Sequence, residues 1–311
     1  MLLYKIKQLL KKNNSLYKVC RHLYLKLFSY LYIEILWLLP RATAHKIKYF
    51  DLFGRKLDLK NPRDLNQKLH YLVVYRYTVN EGRLVHKQHA KDYVISRCIP
   101  DLYVAKLLKV YKKLNHIDIS ELPDQFVLKV TNGSGDAQIC SEKGLFDLDK
   151  AKKNISRVFN RHFAKLGLEY CSYPIKQAIL AEEYLPHDEN DNLIDYKVCC
   201  IHGKVKAIMV WSGEQVLKTK CTCFDPEWNH LDWIEDGFVT EMYREKPANL
   251  KRMIEIAEEL ARPFIFARID LFNINEKIYF GEFTFAPFGG MVLFLKQEAL
   301  NILGDMLDVK K

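Results

Sequence analysis

The sequence predicts an α+β protein with mixed strand pairs interleaved with helices. Two observations carry this. Apolar strand-like runs such as QFVLKV, DYKVCCI and VKAIMVW alternate with helical stretches rather than falling into one class. A long closing hairpin, FIFARIDLFNINEKIYFGEFTF, keeps a side-chain period of two through both arms. Size agrees: 311 residues, 49% apolar and 28% charged with only 13 Gly and 10 Pro, supply a substantial core and exclude a disordered or collagen-like chain. No repeat of about 20–50 residues marks a solenoid.

Element by element, Met1 to Lys12 mixes Lys and Leu without a signal-peptide core or cleavage site. Residues 23–39, LYLKLFSYLYIEILWLL, hold 14 apolar residues of 17 before Pro40. Three readings of this run stay open: a helix packed on the body, an interfacial helix drawn to anionic lipid, or a span at the lower length limit. Asn61-Pro62 reads as a helix start, with Asn as cap and Pro first in the helix, ahead of DLNQKLHYL. Val85–Cys98 reads as a second helix, with Lys87 and Lys91 one turn apart. The strand QFVLKV runs into the turn TNGSGD; a polar amphipathic helix follows over Leu148–Phe163, then the strand AILAEEYL. Two strands joined at His202-Gly203-Lys204 come next. Residues 212–246 read as irregular, and the helix NLKRMIEIAEELA leads into the closing hairpin.

Charge is uneven. Residues 1–60 hold thirteen Lys/Arg against Glu34, Asp51 and Asp58, so the whole net charge of +10 sits there and residues 61–311 balance to zero. A body without a basic stripe disfavours a nucleic-acid partner. The eight cysteines form no CxxC and have no histidines at zinc-finger spacing; free, buried thiols point to a reducing cytoplasm.

The hairpin is the most informative stretch. A three-residue connection at Ile274-Asn275-Glu276 sets Arg268 opposite Glu282 and puts Arg268, Asp270, Glu282 and Thr284 on one face. Asp270 and Glu282 are then diagonal neighbours able to share a hard cation such as Mg²⁺, or else part of a surface ion pair. One residue more or less in the loop would separate them onto opposite faces. Lys129 ends an apolar strand before Asn132-Gly133-Ser134-Gly135-Asp136. Such a turn can present N–H groups to phosphate, or simply be a turn; the Walker and Rossmann spacings are absent. Glu182 and Glu183 close the strand AILAEEYL, and Lys197 stands on a strand among apolar residues, where its charge needs a partner.

Taken in order, PRDLNQKL, LPDQFVLKVTNGSGD, AEEYL, DYKVCCIHGK, FDPEWN and FARIDLFN with KIYFGEFTF resemble the TupA-like family of the ATP-grasp superfamily over about residues 60–290. The resemblance implies an ATP-grasp fold, two α+β subdomains gripping ATP between them, behind a basic amphipathic helical segment. Its division would be residues 1–50, a helical substrate region 51–118, a lid 119–188 and a metal-binding subdomain 189–311. It implies ATP and Mg²⁺ as cofactors. Lys129 and the loop Asn132, Gly133, Ser134 and Gly135 would meet the nucleotide, and Glu182, with the backbone of Glu183 and Leu185, would read adenine. Lys197 and Arg268 would face phosphate or acyl-phosphate oxygens. Asp270, Glu282 and Thr284 would hold the metal, Thr284 standing where most ATP-grasp enzymes carry Asn. His86-Lys87 replaces an Asp-Lys pair found in relatives, which argues against a substrate role for that helix.

The implied activity is carboxylate–amine ligation on a bacterial surface-glycan precursor: a uronic acid or similar carboxylate, lipid-linked at the inner face of the cytoplasmic membrane, joined to an amino acid or amine. Residues 1–50 would meet the anionic membrane. A glycan kinase and a non-catalytic membrane-associated nucleotide-binding module are the alternatives.

Overall fold

The computed structural model describes residues 31–159, 163–185, 194–212, 220–239 and 245–311. In chain order its strands are β1 (Leu102–Val104), β2 (Leu107–Tyr111), β3 (Phe126–Val130), β4 (Gln138–Cys140), β5 (Ile179–Glu183), β6 (Asp195–Ile201), β7 (Lys204–Ser212), β8 (Lys220–Phe224), β9 (His230–Leu231), β10 (Phe266–Ile274) and β11 (Lys277–Thr284). They form a small sheet, β2-β5-β3-β4, and a large one, β1-β11-β10-β6-β7-β8-β9. All neighbours pair antiparallel except β1 and β11.

Period-two alternation decides what each sheet face buries. On one face of the large sheet, Ile269, Leu271, Phe283 and Phe285 pack under Met253, Ile256, Ala257 and Leu260 of the helix Leu250–Ala261. These helical residues recur at spacings of three and four, so one stripe meets the sheet. Part of the opposite face is covered by the helices Leu65–Tyr75 and Gln297–Met306 through Leu65, Leu69, Leu72, Leu300 and Leu303. Each such leucine contributes roughly 1.5–3 kcal/mol on burial. The rest of that face stays uncovered and carries the polar residues of β6, β10 and β11. The small sheet has its own core, closed by Ile155 of the helix Leu148–Phe159.

Two expectations about the elements are corrected. The Leu65–Tyr75 helix is capped by Asp64, not Asn61. The Asp64 carboxylate accepts the Gln67 N–H (2.9 Å) and is steadied by Arg55 (3.1 Å), an arrangement Asn61 is too far upstream to make. Residues 212–246 are not wholly irregular: β8 lies there, with Cys221 and Cys223 buried against β7, and short β9 pairs onto it. β2 falls within the stretch 51–118 and completes the small sheet, while β1 extends the large one. All seven cysteines among the described residues are free thiols.

Of the apolar run 23–39, residues 31–39 are described, and 31–38 are helical. One side packs on the body: Leu36 is buried with Ala44 and Leu168, Trp37 stacks on Tyr170 (4.4 Å) and Glu34 pairs with Lys165 (2.5 Å). Leu31, Ile35 and Leu38 are exposed. No described helix is long and apolar enough to cross a membrane.

Candidate active site

Between the small sheet and the uncovered face of the large one lies a cleft of about 300 Å³, within the size range of small-molecule sites. Its metal-end geometry comes from the β10–β11 hairpin. The connection is a two-residue turn, Asn275-Glu276, both with positive φ (49° and 61°), so Ile274 pairs with Lys277. That is one residue shorter than expected and by itself would send Asp270 and Glu282 to opposite faces. A β-bulge restores them. Leu271 pairs with Phe280 but Asp270 pairs with Glu282, leaving Gly281 as the extra residue. Glycine is required there, since a Cβ would lie 2.9 Å from the Asp270 carbonyl oxygen and 3.1 Å from the Phe272 ring. Asp270 therefore faces Glu282 directly rather than diagonally, and Arg268 opposes Thr284, not Glu282.

The charges at this end are interlocked. Buried Asp270 accepts two hydrogen bonds from Arg268 (2.6 and 2.7 Å) and one from Lys197 (2.8 Å). Burial alone would raise the Asp270 pKa, but Arg268 and Lys197 outweigh it and hold the carboxyl below its usual range. Lys197 also pairs with Asp195, and although burial disfavours its charge these two carboxylates raise its pKa. Burial pushes Asp195 up to about 6 against the pull of Lys197, with Asp270 pushing the same way. Glu282 is half-buried, with Lys87 at 3.3 Å and Arg268 at 3.4 Å.

At the far end, Glu182 of β5 is almost fully buried between Lys129 (3.1 Å) and Lys91 (3.3 Å). Burial raises its pKa, but the two ammonium groups prevail and the net shift is downward. The Glu183 N–H is donated to Lys106 (2.9 Å), so its backbone has only the carbonyl to offer a base. Over the cleft runs the turn after β3. Asp136 folds back to accept the Val130 N–H, and a Cβ on Gly133 would meet its Oδ1 at 2.6 Å and Val158 at 2.7 Å. Lys87 donates to the Gly133 carbonyl (2.6 Å) and so ties this turn to Glu282.

Of the residues singled out by sequence, Lys129, Gly133, Ser134, Gly135, Glu182, Glu183, Leu185, Lys197, Asp270 and Glu282 line this one cleft. Three do not. Asn132 turns its Oδ1 into a buried position with no partner among the described residues. Arg268 lies beneath Asp270, and Thr284 hydrogen-bonds Arg268 (2.9 Å). Lys87, Lys91 and Asp195 line the cleft although sequence reading gave them no role there. The spacing of Lys87 and Lys91 on one helix was the available signal.

A family model described as TupA-like ATPgrasp matches residues 67–308. The chain belongs to the TupA-like ATP-grasp family. Membership places it in a superfamily of ATP-dependent ligases that use Mg²⁺, as the sequence resemblance implied. Among curated proteins, none matches. Solved structures similar to this TupA-like chain include D-alanine–D-alanine ligase from Bacillus anthracis complexed with ATP (15% identity, TM-score 0.43, 74% of this chain and 66% of that one). Others are the Helicobacter pylori D-alanine–D-alanine ligase (16%, 0.40, 72% and 61%) and the ATP-grasp ligase PsnB complexed with a phosphomimetic variant of its minimal precursor, Mg and ADP (11%, 0.38, 72% and 56%). The chain thus spans 56–66% of the length of these three.

The cleft residues fit MgATP. Among the described residues no group of three or more His, Cys, Asp or Glu is placed to hold a metal alone. Mg²⁺ in nucleotide sites, however, needs only one or two carboxylates plus phosphate oxygens, and Asp270 and Glu282 face each other at the cleft wall. Asp195 Oδ1, buried without a hydrogen-bond partner among the described residues, adds an oxygen donor nearby.

Proposed function

We propose that this TupA-like chain is an ATP-dependent carboxylate–amine ligase acting on a uronic acid or similar carboxylate of a bacterial surface-glycan precursor. The observation that carries the reading is the pairing of Asp270 with Glu282 at one end of a cleft whose other end holds Glu182 between two lysines. In this reading residues 119–188 act as lid and residues 189–311 as the metal-binding subdomain. Glu182, Glu183 and Leu185 hold adenine, Lys129 and the turn Gly133 to Gly135, with Asn132 buried behind it, hold the phosphates, and Asp270 and Glu282, with Thr284 behind them, hold Mg²⁺. Bound MgATP would supply a transferable phosphoryl group: the substrate carboxylate would take it, releasing ADP, and an amine would then attack the acyl carbon and displace phosphate to leave the amide.

The chain's own work is positioning and charge neutralisation rather than covalent catalysis. Lys197, at the cleft wall, would steer the carboxylate and balance charge at the transferring group. Arg268 lies under Asp270 and would act by fixing its orientation. The basic amino-terminal segment, with exposed Leu31, Ile35 and Leu38, would hold the enzyme at the inner face of the cytoplasmic membrane. Sedimentation with anionic vesicles before and after deletion of residues 1–50 tests that placement; equal binding refutes it.

Product mass spectrometry decides the reaction. The chain is incubated with MgATP, a panel of uronic acids and a panel of amino acids. An amide with ADP and free phosphate supports the ligase. A phosphorylated sugar would make it a kinase, and no ATP turnover with any pair would refute catalysis of either kind.

A further inference from the structure

The chain that leads from the helix Phe163–Gly167 into β5 is held from two sides. On its body side, Gly82 lies so close that a Cβ there would sit 2.1 Å from the Cys171 carbonyl oxygen, and Gly289 packs on the backbone of Gly167. On its other side lie the amino-terminal helices, 31–38 and Arg41–Phe53. Trp37 stacks on Tyr170 (4.4 Å) and tilts against Tyr173 (4.6 Å), while the Arg41 guanidinium stands over the Tyr170 ring (4.8 Å). Lys165 pairs with Glu34, and Lys48 donates to the Leu166 carbonyl.

Leu168 is the stressed point of this chain. Its backbone is left-handed (φ 59°), a conformation that a residue with a Cβ resists. The amino-terminal helices hold it there: its side chain is buried with Leu36 and Ala44, and its carbonyl accepts from His45 Nε2 (3.2 Å). Downstream, the same chain reaches the root of the turn over the cleft. The Thr131 N–H donates to the Ala178 carbonyl (3.0 Å), and the Ala178 N–H donates to Thr131 Oγ1 (3.0 Å). Thr131 is fully buried, and the cleft-lining glycine Gly133 is two residues on. Relaxation at Leu168 would therefore redirect the chain that enters Ala178 and shift this turn.

Helix 31–38 has two apolar faces. Ile33, Leu36 and Trp37 turn to the body, whereas Leu31, Ile35 and Leu38, at spacings of four and three, form an exposed stripe. A helix of eight residues is too short to persist in water on its own, so its order depends on what covers each face. The body covers one. Residues 1–60 hold thirteen Lys/Arg against Glu34, Asp51 and Asp58, and the cover this charge draws to the other face is an anionic bilayer.

We infer that docking of helix 31–38 on an anionic bilayer switches the nucleotide site on. Lipid on its outer face holds the helix against segment 163–173, which keeps Leu168 left-handed and the turn after β3 set for MgATP. Away from the bilayer the helix loosens, Leu168 relaxes and nucleotide binds more weakly. The inference rests on the membrane placement and the nucleotide site proposed above, and adds the regulation that joins them. Both ligands favour the same docked state, so each must tighten the other by one common factor.

Calorimetric titration of the full chain with ADP and Mg²⁺ tests it, alone, with phosphatidylcholine vesicles, and with vesicles of phosphatidylcholine and phosphatidylglycerol in equal parts. The anionic vesicles should tighten ADP binding at least about 5-fold, the lower end of ordinary coupling between sites, and the neutral ones should not. Sedimentation should show ADP and Mg²⁺ tightening vesicle binding by the same factor. Trp37→Ala should still sediment with anionic vesicles yet bind ADP equally with and without them. Trp37→Phe, which keeps a ring on Tyr170, should restore part of the coupling. Lys165→Met, on the body side of the contact, should lower the factor without altering the helix, and carries the test where Trp37→Ala does not fold. The inference is overturned if bound anionic vesicles leave ADP affinity unchanged, if neutral vesicles act equally, or if the variants keep the full factor. A wild-type chain that ignores anionic vesicles refutes the membrane placement, one that binds no ADP refutes the nucleotide site, and either removes the inference with it.

Discussion

Replacing either proposed metal carboxylate should abolish Mg²⁺-dependent ATP turnover, but the two variants should differ sharply in stability. Asp270 is almost fully buried and accepts three charge-assisted hydrogen bonds at 2.6–2.8 Å. Asp270→Asn keeps the shape but leaves Arg268 and Lys197 facing a neutral amide. Removing one partner of a buried ion pair costs about 3–5 kcal/mol. Lys197 retains Asp195, and Arg268 retains Glu282 and Thr284, so the lower end, about 3 kcal/mol, is expected. Glu282 is half-buried and its ion pairs are long, 3.3 and 3.4 Å, so Glu282→Gln should cost less than about 1 kcal/mol. Loss of an outer-shell partner typically costs a metal site 10–100-fold, so loss of a direct ligand should lower turnover by at least about 100-fold in both. Urea denaturation at pH 7 gives the stabilities and phosphate release gives the turnover. Unchanged turnover in both variants refutes the metal assignment. Equal stability of the two refutes the account of Asp270 as the countercharge that holds the cluster together.

Gly133→Ala should raise the KM for ATP several-fold and cost about 1–3 kcal/mol, because its Cβ would press on Asp136 and Val158; steady-state kinetics with thermal melting checks both. Lys91→Met should leave Glu182 with Lys129 alone and the Ala105 carbonyl without its donor, weakening ATP binding and destabilising by about 1–3 kcal/mol; unchanged nucleotide affinity would remove Lys91 from the site. His45 and His70 touch ring to ring (2.7 Å) in the core beneath the amino-terminal helices. Burial is the main cause that lowers His45 to about 4 and holds His70 well below its ordinary value. A histidine with a depressed folded pKa stabilises above its unfolded value and loses that contribution as pH falls toward the folded one. Between pH 7 and pH 5 His45 alone should therefore remove about 2 kcal/mol of unfolding free energy, opposed by Glu169, which burial raises to about 7 and which stabilises as pH falls. Urea titrations at the two pH values should show the wild type losing about 2 kcal/mol relative to a His45→Gln/His70→Gln variant.

Much of this was legible in the sequence because it depends on local periodicity. β3, β5, β6 and β10 carry runs of Val, Ile, Leu and Phe bounded by turns, and the helix Leu250–Ala261 shows its stripe plainly. The site residues were legible as an ordered set of motifs. β1, β4 and β9 were not, since two or three residues give too little pattern, and β2 and β8 were missed because Lys and Cys interrupt their apolar runs and distant strands decide their pairing. Nor was the bulge. A sequence holds Gly281 in view but does not say whether it lies in register or outside it, and only the two-residue turn makes the extra residue necessary. Lys87 was discounted because the residue before it departs from the family pattern, yet its position depends on the turn after β3, which no linear reading joins to that helix.

The cleft carries its own counter-ions, and this bears on how it accepts a nucleotide. Lys87, Lys91, Lys129 and Lys197, with Arg268 behind Asp270, are matched by Asp136, Glu182, Asp195, Asp270 and Glu282. A polyanion entering alone would strand carboxylates beside new negative charge, whereas a polyanion with a divalent cation lets each group exchange partners, lysines toward phosphate and carboxylates toward metal. Such an exchange leaves no buried charge unpaired, the condition under which ionic groups can sit in a low-dielectric site. The proposed site should therefore bind ATP and Mg²⁺ as a unit. Omitting the metal should weaken nucleotide binding strongly in the wild type and much less in Asp270→Asn, where one carboxylate facing the phosphates is already gone. Equal metal dependence in the two proteins, measured by titration with and without EDTA, would show that Asp270 takes no part in that exchange.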